Sequence, residues 1–246
     1  MIVMSIAGVD PSGGAGVFAD LKTFQALGVY GCGVVTALTA QNPYKFFSTS
    51  PVLSDYIEEE IDAVMDSYDI KFVKTGMLYS PEIIKLISSK IKEYDLKAVV
   101  DPVMVATSGG NLTKDDIAES LRKYLLPKAI ITTPNVSEAE KLSGIKIKNK
   151  EDAIKATKKV KCNCFITGGH LNGINVININ DEITIKKQEL IETNNLHGSG
   201  CNLSSAITAY LSLNNDLKES CLKAMDYVYE SIKNGDYATL IAKMGK

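Results

Sequence analysis

Apolar residues fall along the chain in short blocks whose spacing switches repeatedly between that of a buried strand and that of a helix. Residues 2–7 form a short apolar run closed by Gly8, and Val17, Phe18, Leu21, Phe24 and Leu27 then follow at helical spacing before Gly28. The pattern predicts a strand followed by a helix. It recurs as a strand over 32–39, a helix over 54–68 with Ile57, Ile61, Val64 and Met65 on one face, a strand over 70–75, a helix over 81–94 begun by Pro81, and a strand over 97–101. A helix over 113–126 capped by Thr113, a strand over 129–133, short helices over 136–143 and 151–160, and a strand over 162–167 continue the series. Residues 174–179 and 182–186 read as a hairpin through Asn180-Asp181, and helices over 201–213 and 216–234 follow.

Strand-then-helix repetition with near-continuous apolar strands predicts an α/β fold: a central, mostly parallel sheet covered by helices on both faces, with the hairpin as a small excursion. No linker or internal repeat divides 1–246, so one domain is expected. In such sheets ligands bind beyond the carboxyl ends of the strands. The loops opening at Gly8, Gln41, Lys74, Asp101, Asn135 and Thr167 should therefore share one rim.

The 246 residues are 45% hydrophobic and 23% charged, which suits a chain with a sizeable core. The net charge of −2 comes with scattered lysines, so no basic stripe invites nucleic acid. No run approaches the 18 or so apolar residues of a membrane span, and no basic stretch precedes the first apolar run; a cytoplasmic protein without a membrane partner is expected. Five cysteines, an odd number set in apolar or glycine-rich segments, suit reduced thiols. Arg122 is the only arginine, which leaves any anion to be gripped by lysines or backbone N–H groups.

His197-Gly198-Ser199-Gly200-Cys201 precedes a helix with apolar residues at Leu203, Ala206, Ile207, Tyr210 and Leu211. Glycines at a helix start let N–H groups converge on a phosphate, although such a loop can equally be a plain turn. Cys201 lies in the first helical turn, where the helix dipole can lower a thiol pKa, against the commoner case of an inert core cysteine. The loop 8–16 holds four glycines in nine residues and lets backbone approach a flat ligand. It is not a nucleoside-triphosphate P-loop, because Gly-Lys-[Ser/Thr] occurs nowhere in the chain. The loose dinucleotide pattern Gly14-x-Gly16-x-x-Ala19 lacks the acid expected about 20 residues on, where Gln41-Asn42 stand. Asn135 and Glu138 read either as a capping box or as holders of a hydrated Mg²⁺. Asp101 and Lys74 are strand-terminal charges. Zinc is disfavoured, since Cys162, Cys164, His170 and His197 lack ligand spacing. Tyr44, Phe46 and Phe47 read as a loop that could cover a heteroaromatic ring.

Six ordered motifs, "SIAGVDPSGGAGVFADLKTFQALGVYGCGVVTALTAQN", "KTGML", "DPVMVATSGG", "TPNVSEAE", "TGGH" and "HGSGCNLSSAI", together resemble the hydroxymethylpyrimidine and phosphomethylpyrimidine kinases of thiamine biosynthesis, members of the ribokinase-like superfamily. The resemblance runs from residue 3 to about 213. It implies ATP-dependent, Mg²⁺-assisted phosphorylation of 4-amino-5-hydroxymethyl-2-methylpyrimidine, then of its monophosphate, by a homodimer. Gln41 of "TAQN" would bind the pyrimidine, with Gly8, Ala15, Thr39, Met77 and Val103 lining the ring and Asp20 nearby. Gly198, Ser199, Gly200 and Cys201 would form the anion hole, with Cys201 as the base that takes the hydroxyl proton. Asn135, Glu138 and Asp101 would organise Mg²⁺ and ATP, with Thr167 and Gly169 on the nucleotide side and Glu138 and Asp101 as metal ligands. Departures stand at Thr107 and Thr167, where the family often has lysine, at Leu196, and in the segment 235–246, which lacks the family's frequent glycine-rich stretch. Two other readings remain: a pyridoxal or pyridoxine kinase, whose substrate is also a flat nitrogen heterocycle with a hydroxymethyl group, and a catalytically weak sensor that binds a pyrimidine or nucleotide.

Overall fold

The computed structural model describes residues 1–104 and 117–241. Within them the strands are β1 (Ile2–Val9), β2 (Tyr30–Asn42), β3 (Lys45–Pro51), β4 (Phe72–Thr75), β5 (Lys97–Val100), β6 (Ala129–Thr132), β7 (Cys164–Ile166), β8 (Ile174–Ile179) and β9 (Glu182–Lys187). The helices are α1 (Gly16–Ala26), α2 (Ser54–Ser67), α3 (Pro81–Glu93), α4 (Ile117–Ser120), α5 (Val136–Ser143), α6 (Lys150–Lys159), α7 (Ser199–Ser212) and α8 (Leu217–Lys233). The helix expected over 113–126 is α4 continued by a π-helical turn, Leu121–Leu125; its cap Thr113 lies outside the described residues.

All nine strands join one sheet in the order β3-β2-β1-β4-β5-β6-β7-β8-β9. β2, β1, β4, β5, β6 and β7 run parallel, while β3 and the β8–β9 hairpin are antiparallel extensions at the two ends. The hairpin is thus the far edge of the sheet rather than an excursion from it. Its turn residues Asn180 and Asp181 both take positive φ, 51° and 65°, the conformation a two-residue hairpin turn needs.

One element departs from expectation. Residues 45–51, read as part of an aromatic loop, form edge strand β3 against an extended β2. An Asx turn starts it, with Asn42 Oδ1 accepting from the N–H groups of Tyr44 (3.0 Å) and Lys45 (2.9 Å). The strand is exposed along most of its length, so it lacks the apolar alternation that marks a half-buried strand.

Alternate strand residues feed two cores. Ala98 and Val100 of β5 pack toward α2–α6, with Ile57, Ile61, Ile84, Ile87 and Leu142. Val99, Ile131 of β6 and Phe165 of β7 face α7 and α8, where Leu203, Ile207 and Cys221 meet them. The chain leaves β1 first toward β2 and later returns on its other side as β4. A crevice opens at such a reversal, beyond the carboxyl ends of the strands, and the site lies there.

Candidate active site

The ends of β1, β4 and β5 deliver Gly8-Val9, Lys74 and Met77, and Asp101 and Val103 to one cavity, closed by the starts of α5 and α7. Of the residues expected to hold the base, Gly8, Ala15, Thr39, Gln41, Met77 and Val103 line it. Of the phosphate-side set, Asp101, Asn135, Glu138, Gly198 and Cys201 line it. Asp20 lies beneath, fully buried, and Ser199 and Gly200 continue into the first turn of α7. Thr167 and Gly169 lie farther along the rim, beyond β7, with Thr167 N–H donating to Pro134 O at 3.1 Å and Gly169 exposed. Neither touches this cavity.

Local geometry explains the base side. A register shift between Ala40 and Gln41 in the β2–β3 pairing is a bulge, the device that re-aims a side chain near a site. The Gln41 Oε1 atom is buried and has no hydrogen-bond partner among the described residues. Thr39 Oγ1 donates to Val9 O at 2.8 Å, tying β2 to the end of β1. Gly8 allows Met77 close approach, since a Cβ there would sit 2.9 Å from Met77 Sδ.

The phosphate side is a helix start without a side-chain cap. Gly198 is left-handed at φ 86°, and a Cβ on it would fall 1.7 Å from Gly14 O, so only glycine fits. The backbone N–H groups of Gly200 and Cys201 carry no backbone hydrogen bond among the described residues. Free N–H groups at the positive end of a 14-residue helix are suited to an anion. On α5, Asn135 and Glu138 do form a capping box: Asn135 Oδ1 accepts from Glu138 N, and Glu138 Oε2 from Asn135 N, both at 3.0 Å. The cap and the cavity-lining role coexist in the same two residues.

Electrostatics overturn one expectation. Burial pushes the Cys201 thiol up to about 12, against the opposing pull of Lys74, so the lowering expected from the helix end does not prevail. The nearby Gly16 N–H works the other way, favouring the thiolate, and is also outweighed. Burial also raises Asp101, to about 6, despite Lys74, and raises Glu138, to about 8, with repulsion from Asp101 adding to it. Lys74 is completely buried; burial opposes its charge, but Asp20 outweighs this and holds its pKa above the ordinary value. Its Nζ donates to both Asp20 oxygens, at 2.9 and 2.8 Å, and that carboxylate also accepts from Ser5 Oγ (2.5 Å) and Ser205 Oγ (2.7 Å).

The raised carboxyls yield a prediction. Asp101 and Glu138 bind protons more tightly folded than unfolded, so their contribution is present at low pH and lost as pH rises through about 6 and about 8. The ligand-free protein's thermal midpoint should fall between pH 5 and 8.5, and Glu138→Gln should flatten the upper part. A midpoint that rises across this window would contradict the burial described.

Sequence reasoning did not assign Lys74, Asp10 or His197 a place in the site, yet all three line the cavity. An acid, Asp20, on the buried face of a helix and a lysine inside an apolar strand were the available signal for one pair. Among the described residues no three His, Cys, Asp or Glu side chains group as a metal site, and no helix is long and apolar enough to cross a membrane.

The family model described as phosphomethylpyrimidine kinase matches residues 10–243. A hydroxymethylpyrimidine/phosphomethylpyrimidine kinase of Rhizobium meliloti is 40% identical over 245 residues, covering 96% of this chain and 91% of that protein. The crystal structure of a phosphomethylpyrimidine kinase from Clostridium difficile superposes with a TM-score of 0.83 at 39% identity, over 94% of this chain and 99% of that one. An ADP complex of Bacillus subtilis pyridoxal kinase superposes with a TM-score of 0.89 at 34% identity, over 99% of this chain and 96% of that one. These matches span nearly the whole fold and its cavity, and the chain belongs to the phosphomethylpyrimidine kinase family.

Proposed function

We propose that this chain transfers the γ-phosphoryl group of ATP to the hydroxymethyl oxygen of 4-amino-5-hydroxymethyl-2-methylpyrimidine, and then a second phosphoryl group to the resulting monophosphate. The observation that carries the reading is the unpartnered Gln41 Oε1 in a cavity walled by Thr39, Met77 and Val103. An aminopyrimidine edge offers that oxygen a donor and the Gln41 NH₂ an acceptor, which would satisfy a group whose burial unpaired is costly.

The ring held there would face the N–H groups of Gly200 and Cys201, which would receive charge developing on the transferred phosphoryl oxygens. Cys201, as the thiolate, would take the hydroxyl proton as the new P–O bond forms and the bond between the γ-phosphorus and the ADP oxygen breaks, ADP leaving with that oxygen. Such transfer needs mainly positioning and charge neutralisation. Asp101 and Glu138, two mutually repelling carboxyls, fit a hydrated Mg²⁺, which needs few protein ligands. When bound, that ion would supply positive charge to neutralise the phosphates. Thr167 and Gly169 would meet the nucleotide farther along the rim. Exposed Leu38, Tyr44 and Phe47 on the β2–β3 edge offer a homodimer an apolar surface, and a cytoplasmic location suits the substrates.

A pyridoxal kinase is the second reading, favoured by the likeness to the Bacillus subtilis enzyme. ³¹P NMR of reactions with Mg-ATP and hydroxymethylpyrimidine, its monophosphate or pyridoxal separates them. Monophosphate followed by pyrophosphate is the expected result, and pyridoxal phosphate alone would replace this reading with the second. Gln41→Ala should raise KM for the pyrimidine about 10-fold or more, the worth of one or two buried hydrogen bonds, with KM for ATP unchanged. An unchanged pyrimidine KM would remove Gln41 from the ring's contacts.

A further inference from the structure

Asp10 and His197 lie 187 residues apart in sequence, and His197 Nε2 meets Asp10 Oδ2 at 2.7 Å. Both are almost wholly buried and both line the cavity. The Asp10 carboxylate is fully used: Oδ2 also accepts from Ala15 N at 3.0 Å, and Oδ1 accepts from Ser12 N at 2.9 Å and Ser12 Oγ at 2.8 Å. Burial works against its charge, but the bonds from His197 and Ser12 outweigh it and lower its pKa. An ionised Asp10 requires the hydrogen on Nε2, which fixes the orientation of the imidazole.

This pair joins the two loops that bring the reacting groups together. Loop 10–16 supplies Ala15 and Gly16 to the cavity, which Cys201 also lines, and the Gly16 N–H lies near enough to Cys201 to favour its ionised form. His197 is the residue before Gly198, whose backbone packs on Gly14 O too closely for any Cβ. His197 Nδ1 is buried without a partner among the described residues. A buried polar pair taken out of water contributes little net stability, and an orphaned ring nitrogen is a cost, so neither feature is accounted for by the fold alone.

We propose that Asp10 and His197 form a positioning dyad for phosphoryl transfer, locking the loop of Ala15 and Gly16 against the turn of Cys201 and so setting the distance between acceptor hydroxyl and phosphate. The proposal rests on the kinase reading of the cavity. Neither residue acts on the substrate; displacement of a reacting group by about 1 Å can cost about 10²-fold in rate.

The test uses the full chain, Mg-ATP and whichever acceptor the wild-type protein phosphorylates. His197→Gln and Asp10→Asn should each lower kcat by about 30-fold or more, on the scale of such misplacement, with both KM values within about 3-fold. The double variant should be no slower than the slower single, because the two act as one unit. In ¹⁵N-histidine NMR, where only His170 and His197 contribute, the wild-type His197 should show protonated Nε2, and Asp10→Asn should abolish its preference; His170→Asn assigns the signals. Retention of kcat within about 3-fold in a folded single variant, an effect on KM alone, or multiplicative losses in the double variant would each overturn the dyad. If His197→Gln does not fold, the isosteric Asp10→Asn carries the same expectation; unfolding of both would assign the pair to the fold and overturn the proposal. Failure of the substrate reading appears instead in the wild-type chain, as transfer to pyridoxal only; transfer to neither acceptor leaves the dyad no reaction to position and overturns it too.

Discussion

Cys201→Ala is expected to lower kcat for pyrimidine phosphorylation by about 10² to 10⁴, the contribution of a positioned proton acceptor, with the dissociation constant of the pyrimidine within a few-fold of wild type. The sulfur sits at the first turn of α7, near the Gly16 N–H and beside the free N–H groups that would meet phosphate. A thiol pushed up to about 12 is a strong base once ionised but is scarcely ionised at neutral pH. The wild-type kcat should therefore keep rising through the neutral and into the alkaline range. The rival proton acceptor in the cavity is Asp101, raised to about 6, which would give a rate that climbs through pH 6 and then levels. A plateau above pH 7, together with a Cys201→Ala variant within about 3-fold of wild type, would transfer the role from the thiol to the carboxylate.

Lys74→Met should be the most destabilising single change in the site, by about 3–5 kcal/mol, because it leaves the Asp20 carboxylate buried without its cation. Asp20 would keep the two serine hydroxyls, Ser5 and Ser205, but lose both bonds from Nζ. Adding Asp20→Asn removes the stranded charge, and an amide oxygen can still accept from the serines. Urea unfolding should then place the double variant well above Lys74→Met alone. A double variant as unstable as the single would show that the lysine matters for volume rather than for its charge.

The parallel core of the sheet was legible because its strands are buried on both faces and read as nearly unbroken apolar runs, as in Ala98–Val100 and in Val3–Ala7, where Ser5 alone is polar. β3 was not legible, since an exposed edge strand has no buried face to pattern its sequence. The layout placed the strand-end loops on one rim, but most of the cavity lining, including Gln41, Thr39, Met77 and Val103, could be placed only through the resemblance carried by the six ordered motifs. What could not be read was pairing at a distance. Nothing local in Lys74 names Asp20, and nothing in His197 names Asp10. The state of Cys201 stayed open for a related reason: the favourable field of a helix end is a local property, whereas the desolvation that overrides it comes from segments far away in sequence.

The contact between Asp10 and His197 also constrains how the protein comes into being. During synthesis the cavity wall from Gly8 through Met77 leaves the ribosome long before the turn at Gly198–Cys201 exists. A nascent chain can form much of β1, β2 and β4 yet hold no complete site, and closing a loop of this length is among the slow, late events of folding. Phosphoryl transfer therefore begins only after the chain has been made through α7, and truncation before α7 should yield a fragment without kinase activity.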